Sequence, residues 1–359
     1  MDVKGTRYDS TKLELIAAAV LERAGVSPSH AKTVAACLVH ADLRGVDSHG
    51  LSRLPIYLAR IETGAVSCQK TPTLIRQSGA TACLDGANQL GAVAGEAALE
   101  HALGLARAYG VGIVGVCHSN HFGACSYYAQ KAVEQKMILL VLSNAPKSIA
   151  PVGGIRPFFG TNPIAIGIPA GSEAPFLLDM ATSVTARGKI MLAHQKGESI
   201  PADWAMDAQG EPTTDPAEAL QGTLLPIGGA KGYGLAMFID IMSGLLTGAA
   251  VGEHVKGLYE SLDEPQNVGH LFVAIEVERF MPYEQFQAMM DSYIREVKAV
   301  PRRKGVEQIW IPGEIEWNTM QHYHKYGIPL APGIAAEVEA VCRRYGIDFQ
   351  EAVIREAGS

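Results

Sequence analysis

The chain has 359 residues, 48% of them hydrophobic and 19% charged, with a mean hydropathy of +0.10: the balance of a well-folded globule with a substantial core, and long enough for two domains. With 37 acidic against 30 basic residues the net charge is −7, which argues against nucleic acid or an anionic membrane as the main partner, because both demand a concentrated basic surface. The six cysteines form no CxxC pair, no apolar run nears the ~20 residues of a membrane span, and residues 1–10 lack a signal-peptide pattern. A protein of the cytoplasm without a disulfide framework or zinc site is expected.

Ser10 and the apolar spacing after it predict a capped helix ending at Gly25, and Ser27-Pro28 starts a second running to about Leu43. These deliver the chain to residues 41–58, ADLRGVDSHGLSRLPIYL, which pack Arg44, Ser48, His49 and Arg53 into ten positions. A histidine near its intrinsic pKa of ~6.5 exchanges a proton at neutral pH, and an arginine holds a carboxylate through a forked pair of hydrogen bonds. If Ser48 caps a helix toward Ile61, His49 and Arg53 stand i, i+4 on one face, although Pro55 counts against a regular helix there. A capped helix start with a surface histidine is the bland reading of the same residues.

Short strands follow at 73–76 and 81–84, then an alanine-rich helix over 91–109 stopped by Gly110. Gly110, Gly112 and Gly115 match GxGxxG, but they follow a helix and lie inside the apolar run 111–116, which reads as a buried strand. A dinucleotide fingerprint needs the order strand, glycine turn, helix, so a Rossmann phosphate loop is rejected here. At the end of that strand stand His118, Ser119, Asn120 and His121, then Phe122-Gly123-Ala124 leads into a helix to Gln135. Such junctions leave backbone N–H groups free for ligands. His118 and His121 at i, i+3 could pair on a metal in a hydrolase, yet no third ligand is near and no metal is expected.

Strands are predicted at 137–142, 164–168 and 176–178, the last running into Asp179-Met180-Ala181-Thr182-Ser183 before a helix over 184–194. Residues 202–214 read as an exposed loop. GGAKGYG places Lys231 in a flexible loop ahead of the apolar run 235–251, expected as a core helix, without the spacing of a nucleoside triphosphate loop. A strand over 270–277, a helix from Pro282 to about Val300, a short strand at 308–311 and a helical region over 317–357 complete the chain.

Taken in order, RGVDSHGLxR, NHFGA, GTNP, DMATS with ARGK, KGYG and GHLFVAI resemble the type 2 malate/L-lactate dehydrogenase family, over roughly residues 10–312. That family also includes ureidoglycolate, sulfolactate and diketogulonate enzymes and Δ1-piperideine-2-carboxylate reductases. The resemblance implies an α/β fold of non-Rossmann type: a mixed-sheet central domain, residues 121–280, that binds the nicotinamide cofactor, and a helix-rich discontinuous domain from 1–120 and 281–359. It implies a homodimer using NAD or NADP on a small carboxylate substrate, by interconversion of a 2-oxo acid and a 2-hydroxy acid or, alternatively, reduction of a cyclic imine carboxylate. Carried over by motif, His49 is the proton donor assisted by Ser48, with Arg53 near the substrate, and His121 competes for the acid/base role. His121, Phe122, Gly123, Ala124, Cys125, Asp179, Met180, Ala181 and Lys231 line the cofactor, and Thr161 lies near the substrate. Arg44 or Arg53 is expected to fix the substrate carboxylate, and Asp42 or Asp47 is a candidate to orient His49.

Overall fold

A computed structural model describes residues 6–354. Two helices open it, α1 (Ser10–Arg23) and α2 (Pro28–Leu43), the second with proline in its first turn as the sequence predicts. The cap of α1 is Asp9, not Ser10: the Asp9 carboxylate accepts from the Lys12 N–H at 2.9 Å, doing the task assigned to its neighbour. Two 3-10 turns, Asp47–His49 and Leu51–Arg53, then precede α3 (Leu54–Glu62). The helix expected from Ser48 therefore begins only at Leu54, where Pro55 sits in the first turn and costs no intrahelical bond.

The centre is a seven-stranded mixed sheet in the order β1-β2-β3-β11-β4-β7-β8. Its strands are β1 (Thr73–Ser78), β2 (Thr81–Asp85), β3 (Val111–Ser119), β4 (Met137–Ser143), β7 (Ile164–Ile168), β8 (Phe176–Met180) and β11 (Val268–Glu276). Only β2 and β3 run parallel; the other neighbours are antiparallel. The sheet runs across residue 120, since β3 lies between β2 and β11. Two helices pack against it: α4 (Gly91–Tyr109) on β3 and β11, and α5 (Cys125–Glu134) on β4 and β7. Gly112 explains the false dinucleotide motif, because a Cβ there would come within 2.1 Å of the Ala102 carbonyl oxygen of α4. That glycine serves helix–strand contact, and Val114 and Val116 beside it are fully buried.

A second sheet, β6-β5-β10-β9, joins β5 (Lys147–Ile149), β6 (Phe159–Gly160), β9 (Ala205–Met206) and β10 (Thr223–Leu224). With α6 (Arg187–Lys196), α7 (Pro216–Gln221) and α8 (Ala230–Asp240) it surrounds a smaller core of Ile149, Phe159, Ile190 and Leu224. The loop expected over 202–214 thus contributes β9. Lys231, expected in a flexible loop, stands in the first turn of α8. Beyond α8 the chain passes into a π-type segment, Ile241–Leu245, where the Leu246 N–H reaches back five residues to the Ile241 carbonyl at 2.9 Å. The run 235–251 is no core helix: Phe238, Leu245 and Leu246 are 45%, 63% and 62% exposed.

Three helices close the chain, α9 (Tyr283–Ala299), α10 (Glu314–Tyr326) and α11 (Pro332–Arg344), followed by a 3-10 turn at Phe349–Ala352. Residues 308–311 form no strand, and the end of the helical region expected to 357 lies outside the described residues. Among the described residues no helix is long and apolar enough to cross a membrane.

Candidate active site

Three elements converge on one cluster of polar side chains. The first is the pair of 3-10 turns, held down from beneath by Asp42 of α2, whose buried carboxyl accepts from the Leu51 N–H at 2.8 Å. Gly50 lies directly on that carboxyl: a Cβ would stand 1.7 Å from Asp42 Oδ1. Asp42 is thereby a support for the turn, and it does not orient His49. Burial pushes its pKa up to about 8. The group that touches His49 is Ser48, whose hydroxyl lies 2.9 Å from His49 Nδ1. Asp47 meets the turn through its carbonyl, which accepts from the Ser52 hydroxyl at 2.5 Å. Arg53 closes the turn by donating from Nε to the Ser48 carbonyl at 2.6 Å, which brings His49 and Arg53 together without a shared helix.

The second element is the end of β3. His118 adopts a left-handed φ of +50° and turns the chain, while buried Asn120 donates to Asn88 Oδ1 at 3.0 Å and the Gln89 carbonyl at 2.9 Å. His121 follows, its N–H donating to Gln266 Oε1 at 3.0 Å and its Nδ1 lying 2.7 Å from the Tyr57 hydroxyl of α3. The His49 and His121 rings stack at 5.5 Å between centroids and 27° between planes. Burial lowers the pKa of both imidazoles: His49 falls to about 4, with Arg53 adding to the effect, and His121 falls well below its ordinary value, chiefly through burial, with His49 and Arg53 adding. His118 goes elsewhere, to Asp85 at 3.2 Å. Among the described residues no three metal-ligating side chains cluster, so the metal-assisted reading has no ligand set.

Third comes the segment before β11, which supplies Gln266 and Tyr259; Arg53 Nη1 donates to the Tyr259 hydroxyl. Behind the site, His270 of β11 bridges two serine hydroxyls, Ser119 at 2.8 Å and Ser143 at 2.9 Å, and stacks on Phe122 at 4.0 Å.

A neighbouring group surrounds the start of α5. Phe122 and Cys125 are buried, the Phe122 carbonyl accepts from the Tyr128 hydroxyl at 2.6 Å, and Asp179 on β8 accepts from the Ser126 N–H at 2.8 Å. The next residues, Met180 and Ala181, lead to Thr182, whose N–H donates to the Thr161 carbonyl at 2.9 Å. The Thr182 carbonyl in turn accepts from the Ile227 N–H at 2.9 Å, joining this strip to the approach of α8 and Lys231. Arg44 belongs with α5: it is 3% exposed and donates from Nη1 to Gln130 Oε1 at 3.3 Å. Tyr57, Tyr259, Gln266 and His270 were not singled out from sequence, because an isolated tyrosine or glutamine carries no spacing signal.

The profile described as malate/L-lactate dehydrogenase matches residues 8–339. The malate dehydrogenase of Pyrococcus abyssi is 39% identical over 355 residues, covering 97% of each chain. The solved sulfolactate dehydrogenase of Methanocaldococcus jannaschii superposes with a TM-score of 0.90 at 38% identity, covering 96% of this chain and 99% of that one. The malate dehydrogenase of Entamoeba histolytica gives 0.91 at 32% identity, covering 96% and 99%. Sequence and fold agree along nearly the whole length, and the chain belongs to the malate/L-lactate dehydrogenase family.

Proposed function

We propose that the protein is an NAD(P)-dependent oxidoreductase that interconverts a 2-oxo acid and a 2-hydroxy acid, with His49 as the proton donor. The observation that carries this reading is the stacked His49–His121 pair beside Arg53, a proton carrier and a carboxylate holder in one cluster. Reduced nicotinamide, when bound, supplies the hydride. Charge that builds on the substrate oxygen is met by a proton from His49, a contribution of ~10²–10⁴ in rate. His49 delivers that proton from its imidazolium form, and a substrate carboxylate at Arg53 favours that form by offsetting the arginine's share of a depression that burial dominates. Ser48 fixes the ring through Nδ1, leaving Nε2 for the substrate, and Tyr57 does the same for His121. Arg53 holds the carboxylate, while buried Arg44 braces α5.

The residues around α5 and α8 fit a dinucleotide. Gly228 and Gly229 take left-handed φ of +61° and +64° with nothing within 4 Å of a would-be side chain, so an anion can approach the N-terminus of α8, where Lys231 is exposed. Beside this strip the buried Thr185 hydroxyl has no partner among the described residues. Phe122, Gly123, Ala124, Cys125, Asp179, Met180 and Ala181 form the other wall, with Thr161 toward the substrate. Residues 121–280 carry these contacts, and residues 1–120 with 281–359 supply the His49 turn and the outer helices. The exposed apolar face of α8 and the π segment, Leu235, Phe238, Leu245 and Leu246, is covered by a second copy in a homodimer.

The test is oxidation of NADH and NADPH, followed at the nicotinamide absorbance, against pyruvate, oxaloacetate, sulfopyruvate, a diketogulonate and Δ1-piperideine-2-carboxylate. Turnover of an open-chain acid is expected, turnover of the imine alone transfers the reading to the reductase alternative, and silence on all five refutes both.

A further inference from the structure

Arg60 is 1% exposed, and two of its guanidinium nitrogens turn onto one loop: Nη1 donates to the carbonyls of Leu258 at 3.3 Å and Ser261 at 2.6 Å, and Nη2 to that of Glu264 at 2.7 Å. The Thr63 hydroxyl donates to the Leu262 carbonyl of the same loop. A planar fork bound to three carbonyls fixes a backbone as a single point charge cannot. Arg53, in the 3-10 turn just before α3, and Arg60, in the last turn of α3, both reach this loop. Held this way, the loop sets Tyr259 against Arg53: Arg53 Nη1 donates to the phenol oxygen, and the guanidinium carbon lies 5.6 Å from the ring centroid. The phenol is open on its other side. Tyr259 is 58% exposed, and among the described residues its own proton has no acceptor.

We propose that Tyr259 is a specificity-determining residue that joins Arg53 in a two-donor seat for the substrate carboxylate, and that Arg60 is the positioning residue holding that seat together. The inference rests on the reading of Arg53 given above. One carboxylate oxygen accepts from the free guanidinium N–H groups and the other from the Tyr259 hydroxyl, both charge-assisted. Two donors facing one group favour a 2-oxo carboxylate over its carboxamide, whose NH2 would meet a donor with a donor.

The experiment compares wild type, Tyr259→Phe, Arg60→Lys and Arg53→Leu in cofactor oxidation with the best 2-oxo acid of the panel and with its amide. Tyr259→Phe is expected to raise KM for the acid roughly tenfold, with kcat and cofactor KM within about threefold of wild type, and to narrow the acid-to-amide preference by a similar factor. Arg60→Lys should shift KM the same way by less, and Arg53→Leu by more. A wild-type or lowered KM in Tyr259→Phe, while Arg53→Leu raises it, overturns the seat and leaves the role of Arg53 standing. Unchanged KM in both overturns the two together, as does a wild-type protein silent toward every acid.

Discussion

Gly50→Ala is the sharpest test of how the turn that carries His49 is built. Gly50 has a φ of −87°, which alanine adopts without strain, so the consequence is purely steric. The added methyl would lie 1.7 Å from Oδ1, 2.2 Å from Cγ and 2.6 Å from Oδ2 of Asp42, a fully buried side chain with nowhere to withdraw. Overpacking of a tight interior costs ~1–3 kcal/mol. Moving Asp42 also breaks its bond to the Leu51 N–H and strands two buried polar groups, another ~1–3 kcal/mol. The sum of about 2–6 kcal/mol is a large part of typical domain stability and should lower the urea midpoint by about 1 M or more. Because Ser48 and His49 ride on the displaced turn, kcat/KM should fall by ~10² for a shift of about 1 Å. Gly104→Ala, exposed in α4 with nothing within 4 Å, is the control and should gain ~0.5–1 kcal/mol. A Gly50→Ala protein that unfolds within about 0.2 M of wild type and keeps its activity would refute the reasoning.

His270 is fully buried and neutral, its pKa pushed down to about 3 by burial. The unfolded chain binds a proton at ~6.5 that the fold does not, so stability is full above pH ~6.5 and falls toward pH 3 by up to ~1.4 kcal/mol per unit; urea midpoints against pH should slope less in His270→Gln, and an equal slope would be the wrong result. Asp42, raised to about 8, works oppositely: its contribution is full below ~3.8 and is lost as the pH rises through 8, so Asp42→Asn should remove a downward slope between about pH 4 and 8 from the same curve. Lys231→Ala should weaken NADH and NADPH binding, read by cofactor fluorescence, about tenfold while sparing oxo acid KM. Leu245→Glu in the exposed apolar face should shift the sedimenting mass toward that of a monomer, and an unchanged mass would overturn the proposed dimer contact.

Much of the fold was legible because glycine and proline punctuate it. Gly110 ends α4 in a left-handed cap and Pro28 opens α2, both where the sequence sets them. Rejection of the GxGxxG match followed from order alone, and the contact of Gly112 with α4 supplies its physical reason. Errors arose where polar residues compete for one cap, as Asp9 and Ser10 do, or where apolar content was equated with burial, as over 235–251. His49, Arg53 and His121 announced themselves as reactive residue types beside turn signals. Tyr57, Gln266 and Tyr259 did not, since they reach the cluster through contacts spanning 64, 145 and 206 residues that no local pattern encodes.

The central claim, that His49 delivers the proton, is met most directly by single-turnover and steady-state reduction of the preferred 2-oxo acid in wild type, His49→Ala and His121→Ala, with cofactor binding measured in parallel. The account expects His49→Ala to lose ~10²–10⁴ in kcat with cofactor affinity intact, and His121→Ala to lose less. An unchanged kcat in His49→Ala, with the loss falling on His121→Ala, would contradict it and move the proton to the histidine held by Tyr57.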